Sequence, residues 1–152
     1  MGYFSYIEII KLLIEYALQH HIILELNEKT KNRDYPLLWA INKNNIKIVK
    51  LLIKFTNQHQ ITLELNEENK DGYYPLLCDI SKNNIEMVKL LIEYVNQHKI
   101  ILVLNEKDGE YGDYPFLCAI FKNNIEIVKL LIDYALQHQL ILELNEKKNK
   151  NG

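Results

Sequence analysis

Apolar and polar positions follow one another along this chain in a block that recurs. Each block begins Ile-x-Ile/Met-Val/Ile-Lys-Leu-Leu-Ile, passes through a Gln-His pair and an Ile/Leu-rich stretch to Leu-Asn-Glu, then crosses a variable polar stretch to Tyr-Pro-Leu/Phe-Leu. Asn44-Asn45-Ile46, Asn83-Asn84-Ile85 and Asn123-Asn124-Ile125 open three copies, 39 and then 40 residues apart, and Ile7 opens a fourth, partial copy. All three prolines, Pro36, Pro75 and Pro115, hold one equivalent position.

The pattern predicts a short helix, a longer helix and an extended return. Proline suits the first helical turn, where its missing N–H would find no partner anyway, so Leu37 to Lys43 and its equivalents read as two-turn helices. Asn44, Asn83 and Asn123 sit where those helices must stop, and asparagine tolerates the left-handed conformation of a helix end. The next residues, Asn45, Asn84 and Asn124, can cap a second helix by accepting from its free N–H groups. That helix, about Ile46 to His59, spreads Ile46, Val49, Leu52, Ile53 and Phe55 around more than half its circumference, so it must be covered on two sides. Beyond it Ile61, Leu63 and Leu65 alternate with Thr62 and Glu64, the period of an extended segment with one buried edge. The rows Ile22/Ile61/Ile100/Leu140 and Leu24/Leu63/Leu102/Leu142 repeat it.

A single block cannot bury its own apolar faces, whereas stacked copies form a continuous core. The expected organisation is one array: a leading partial repeat over 1–34, then repeats over 35–73, 74–113 and 114–152. Both ends read as cuts through a longer array or as bare caps. Ile7, Ile10 and Ile14 are expected to lack cover on their outer side, and Leu142 and Leu144 to lack a following helix pair. Such ends either fray or associate end to end.

Composition narrows the function. The chain is 48% hydrophobic and 25% charged, ordinary for a folded soluble domain, and its formal net charge is -2 with Arg33 as the single arginine. Nucleic-acid binding needs clustered cations and is not expected. Two cysteines cannot build a disulfide framework, the amino terminus has no basic leader, and every apolar run is broken before about 18 residues, so a cytoplasmic, intracellular, non-membrane protein is expected.

Gly72-Tyr73-Tyr74-Pro75-Leu76-Leu77, followed by Asn84-Ile85-Glu86-Met87-Val88-Lys89-Leu90-Leu91, resembles the ankyrin repeat, and Glu126 to Leu131 carries the family's Glu-Ile-Val-Lys-Leu-Leu. The resemblance extends from Ile7 to Asn145 and implies an all-α ankyrin-type helix-turn-helix solenoid with extended, β-turn connections. It departs from the family in two ways. The Thr and His that bond around the first helix are replaced by Tyr35/Tyr74/Tyr114 and Leu38/Leu77/Leu117, and each block exceeds the usual ~33 residues. The family's concave face, made of β-turn tips and the open side of the first helices, falls here on Lys31, Asn32 and Asp34; on Lys70, Asp71, Tyr73, Ser81 and Lys82; and on Glu110, Tyr111, Asp113, Phe121 and Lys122. The resemblance therefore implies a non-catalytic protein-protein interaction module with a protein partner, the rival being a structural spacer or regulatory segment with no ligand of its own.

These tip positions are where the chain's own repeats differ most, as with Asn42/Ser81/Phe121 and Asp34/Tyr73/Asp113. The aromatic members suit an interface. The row His20/His59/His98/His138 invites a metal, but row-mates lie about 8–10 Å apart, too far to share an ion held at ~2 Å. They are read as helix-end residues bonding to the return. Cys78 and Cys118, by the same spacing, are read as buried thiols with no disulfide. Asp79, whose row-mates are Ala40 and Ala119, is read as making a local polar contact or facing a ligand. With neither a nucleophile elbow nor a glycine-rich phosphate loop, no enzyme, cofactor or metal is expected.

Overall fold

A computed structural model describes residues 3–107 and 112–144, with side chains from Glu8 onward. Among these residues lie seven helices and no strand: α1 (Tyr3–Gln19), α2 (Pro36–Asn42), α3 (Ile46–His59), α4 (Pro75–Ser81), α5 (Ile85–His98), α6 (Pro115–Phe121) and α7 (Ile125–Gln137). The short helices α2, α4 and α6 stack in one layer, and α1 on α3 and α5 on α7 in the other. Each short helix pairs with the long one that follows it. The chain is an all-α helical repeat solenoid.

Local chemistry sets the boundaries. Pro36, Pro75 and Pro115 occupy the first turn of the short helices, preceded by Tyr35, Tyr74 and Tyr114 in the extended conformation that a following proline enforces. Those helices end at Asn44, Asn83 and Asn123, which take left-handed φ values of 53°, 57° and 51°. Asn45, Asn84 and Asn124 then cap the long helices, their side chains accepting from Ile48, Met87 and Ile127 N–H at 3.2, 3.0 and 3.0 Å. Long helices also stop through a left-handed residue, at His21, Gln60, Lys99 and Gln139, and the N–H after it returns to a carbonyl of the last turn.

Val49, Leu52 and Phe55 are buried as the pattern requires. Ile48 joins them, whereas Ile46 and Ile53 are half-buried, because α3 turns one flank toward α2 as well as meeting its long-helix neighbours. In the returns Leu63, Leu65, Leu102 and Leu104 are buried at alternate positions.

Among the described residues the returns form no ladder; asparagine side chains join them instead. Asn27 donates to Thr62 O at 2.8 Å and accepts from Glu64 N–H at 3.0 Å. Asn66 does the same with Ile101 and Val103, and Asn105 with Ile141 and Glu143. Each amide thus satisfies a donor and an acceptor that an isolated extended segment would leave to water. Tyrosines add a second set of links. Tyr35 and Tyr74 donate to the carbonyls of Glu67 and Glu106, so the hydroxyl that stands for the missing threonine bonds about one repeat further along the chain. Tyr94 and Tyr134 accept from the buried N–H groups of Leu63 and Leu102 at 2.9 and 3.0 Å.

The leading helix reverses one expectation. Ile14 is buried and Ile10 half-buried toward α3, while Ile9, Leu12, Leu13 and Tyr16 are the exposed positions; the Ile7 side chain lies outside the described residues. At the other end Leu144 is exposed and Leu142 half-buried.

Candidate functional site

Two hairpin tips and one short helix converge on a notch. In the first tip Thr30 N–H donates to Asp34 O, and Arg33 N–H to Thr30 O, each at 2.8 Å. In the second, Asn69 N–H donates to Tyr73 O at 2.9 Å and Gly72 N–H to Asn69 O at 3.1 Å. The turn needs a left-handed residue at its third corner; Gly72 supplies it at φ 82°, Gly112 at 70°, and in the first tip Arg33 is held there at 62°. Asn69, largely buried, organises the second tip: its Oδ1 accepts from the N–H groups of Asp71 and Tyr73 at 3.0 and 3.1 Å. Its Nδ2 reaches across to Asp34 Oδ1 at 2.9 Å, and Lys70 N–H reaches Asn32 O at 2.9 Å, so the two tips are locked together.

Between them lies a cavity of about 270 Å³ walled by Asp34, Asn69, Asp71 and Tyr73 from the tips and by Leu38, Asn42, Cys78, Ser81 and Lys82 from α2 and the α4 end. Of the positions selected from sequence, Asp34, Asp71, Tyr73, Ser81 and Lys82 come together here. Lys31, Asn32 and Lys70 stand exposed on the tips beside it. Asp113, Phe121 and Lys122 belong to the third repeat and extend the same series without entering the notch, and Glu110 and Tyr111 lie outside the described residues. Asn69 was not singled out from sequence, although an asparagine three residues before a glycine carries the turn signal that finds it.

The chemistry of the wall is that of binding. Burial, with the neighbouring Asp79 adding to it, pushes the Cys78 thiol up to about 11, leaving it protonated and a poor nucleophile near neutral pH. Ser81 Oγ donates to the Cys78 carbonyl at 2.7 Å, a helix contact and not an alliance with a base. At the edge, the Lys29 ammonium hydrogen-bonded to Glu67 is held above its ordinary range, and Glu67 below its own for the same reason; Arg33 adds a contact to Glu67 at 3.4 Å.

Asp79 meets neither expectation. Both carboxyl oxygens are buried without a hydrogen-bond partner, and the notch is walled by its neighbours on α4 without it. Desolvation raises its pKa well above the ordinary carboxylate range against a smaller opposing pull from Lys82, so burial favours the neutral carboxyl. The histidines also differ from expectation. Each ring packs on the aromatic residue one turn earlier, as Phe55 with His59 at 4.4 Å and Tyr94 with His98 at 4.0 Å between centroids. The bonds they make reach helices and not the returns: His98 Nδ1 lies 2.8 Å from the Tyr94 carbonyl, and His138 Nε2 lies 2.9 Å from Asn96 Oδ1. Cys78 and Cys118 are buried and are not joined in a disulfide, and no described helix is long and apolar enough to cross a membrane.

A family model described as ankyrin repeats (3 copies) matches residues 3–100 and 58–141, which together span nearly all of the described chain. No curated protein gives a significant match. Ankyrin repeats are generally protein-interaction modules and typically non-enzymatic. The repeated helix pairs, their proline and asparagine boundaries and this match lead to one conclusion: the chain belongs to the ankyrin-repeat family.

Proposed function

We propose that this protein is a non-catalytic binding module that grips a protein partner through the notch between its first two tips and along the open side of its short helices. The observation that carries the reading is convergence. Five positions taken from the concave face that the family resemblance implies, drawn from two tips and the end of one helix, wall a single cavity with two carboxylates, a phenol ring, a hydroxyl and an ammonium. Such a lining suits one polar or basic side chain of the partner, with Tyr73 as its apolar side wall. Exposed Phe121, 67% accessible, continues the surface toward the third repeat, together with Lys122 and Asp113. Two buried cysteines outside any disulfide support an intracellular, cytoplasmic setting.

The test is a peptide-display selection on the immobilised full chain, followed by calorimetric titration of the enriched peptides. Tyr73→Ala is expected to weaken binding at least ~10-fold and Lys82→Ala by ~3-fold, with melting temperatures kept near that of the parent. Peptides that bind both variants as tightly as the parent would remove the notch. A selection that enriches nothing favours the spacer reading.

A further inference from the structure

The junctions between long helices repeat a fixed set of contacts, and that set can be continued past the last repeat. Lys50 pairs with Glu86 at 3.3 Å and Lys89 with Glu126 at 2.5 Å, so a lysine on one long helix meets a glutamate on the next. Likewise the Tyr94 and Tyr134 hydroxyls accept from the return of the preceding repeat, at Leu63 and Leu102. One step further in register, α7 offers Lys129 and its return offers the N–H of Leu142. The groups that would receive them, by position in the block, are a glutamate at the place of Glu126 and a tyrosine at the place of Tyr134.

Both exist on α1, as Glu8 and Tyr16, and both are absent from α3, where Lys47 and Phe55 stand in their places. By register, the α1 to α3 step therefore sets Lys11 opposite Lys47 and offers its return no tyrosine hydroxyl at the place of Tyr94. The two residues that complete a junction sit instead on a helix whose outer side is open: Leu13 and Tyr16 are 58% and 56% exposed, whereas their row-mates Leu52 and Phe55 are 3% and 0%. The opposite end is open too: Ile125 on α7 is 70% exposed, whereas its row-mates Ile46 and Ile85 are half-buried.

We infer that the occupant of the open α1 face is the α7 end of a second copy of this chain, stacked head to tail so that Lys129 meets Glu8 and Leu142 N–H meets the Tyr16 hydroxyl of the next copy. Two different surfaces meet, so the contact is heterologous and cannot end at a two-fold dimer; because each step advances along the stack as the repeats do, copies add in a row. This surface is separate from the notch, and neither reading depends on the other.

Sedimentation of the 152-residue chain over a range of concentrations at low ionic strength, with Glu8→Lys, Lys129→Glu and their double variant, tests the assignment. The average mass of the parent is expected to rise steadily with concentration beyond that of a dimer. Each single swap places like charges at the junction and lowers the association constant ~3- to 10-fold, an effect that added salt shrinks. The double variant restores it. So does mixing the two single variants, since each then offers the charge that the other lacks; this arm also shows that both remain folded. Tyr16→Phe weakens association by a similar ~3-fold. A parent that stays at 18.0 kDa up to millimolar concentration, a mass that saturates at the dimer, or single swaps that are not rescued by mixing each overturn the proposal. Such a result would leave the α1 face to a repeat lying earlier in a longer chain.

Discussion

The step from α1 to α3 and the steps among α3, α5 and α7 build the same stack with different parts. In the later steps a lysine–glutamate pair joins neighbouring long helices and a tyrosine hydroxyl clips the preceding return. Asn84 and Asn124 there also donate to Asn44 and Asn83 of the preceding repeat. In the first step the charges move to the tip end, where Lys29 meets Glu64 at 3.2 Å and Glu67 at 2.9 Å, and Phe55 fills the tyrosine position without a hydroxyl. All three steps share the asparagine amide that bonds a donor and an acceptor of the neighbouring return. Repeats can exchange side-chain contacts between helices, because those contacts only add to apolar packing. The amide link meets a backbone need that every return has, and it recurs unchanged.

The largest effect comes from emptying equivalent sites on either side of the comparison. Leu91→Ala in α5 removes a side chain that is 1% exposed and is expected to destabilise by about 2–5 kcal/mol in urea titration, whereas Leu13→Ala on the open side of α1 costs about 0.5 kcal/mol or less in dilute solution. Equal losses would mean that α1 is as enclosed as α5.

Asp79 sharpens the picture of the middle repeat, since its row-mates at 40 and 119 are alanines. Asp79→Ala is expected to stabilise by about 1–3 kcal/mol at pH 7, because it removes a buried carboxyl without a partner. The sign follows from desolvation, which raises the folded-state pKa above its unfolded value of about 3.9. Stability contributed by the protonated group is complete below that value and declines as pH rises toward and through the raised one. The gap between variant and parent should therefore widen from pH 4 to pH 7 in parallel melts, and a gap that narrows would contradict the buried, unpartnered assignment.

The tyrosine clip can be deleted from one step and installed in another. Tyr94→Phe leaves the Leu63 N–H buried without its acceptor and is expected to cost about 1–2 kcal/mol. The reverse change, Phe55→Tyr, brings a hydroxyl toward the return at Leu24 and should recover about 0.5–1 kcal/mol, read as slower hydrogen exchange of the Leu24 amide. An unchanged Leu24 amide would show that the first return is not placed to use the clip. Smallest is Lys47→Glu, which turns a Lys11–Lys47 opposition into a pair. A gain of about 0.3 kcal/mol is expected, measurable at low salt and gone at high salt.

Chemistry that acts within a few residues of itself was legible in the sequence. Proline at the first turn and paired asparagines between helices place α3 at Ile46–His59, the span that its apolar pattern indicates. Of the notch, Asp34, Asp71, Tyr73, Ser81 and Lys82 were legible through the family resemblance, which maps the concave face onto them; the repeats also differ at each of these except Lys82, whose row-mates Lys43 and Lys122 are lysines too. The orientation of α1 was not legible. Its apolar residues cover more than one side, and amphipathicity does not tell which side looks toward the next repeat; packing on α3 buries Ile14 and leaves Leu13 outside. The Asn27, Asn66 and Asn105 links were also unread, because an amide's partners depend on which backbone atoms of another return come opposite it. The same holds for Asp79, whose isolation arises from neighbours distant in sequence.

The asparagine links have a mechanical consequence. Each ties one repeat to the next through just two hydrogen bonds, and the three ties lie in series along the stack. A pull on the two chain ends loads them one after another, because releasing a terminal repeat leaves the remaining ties intact. Stretched in an optical trap, the molecule would therefore yield as a ratchet of small, evenly sized extensions that recoil in reverse order when the load is eased. It would behave as a soft spring whose travel is set by the number of repeats.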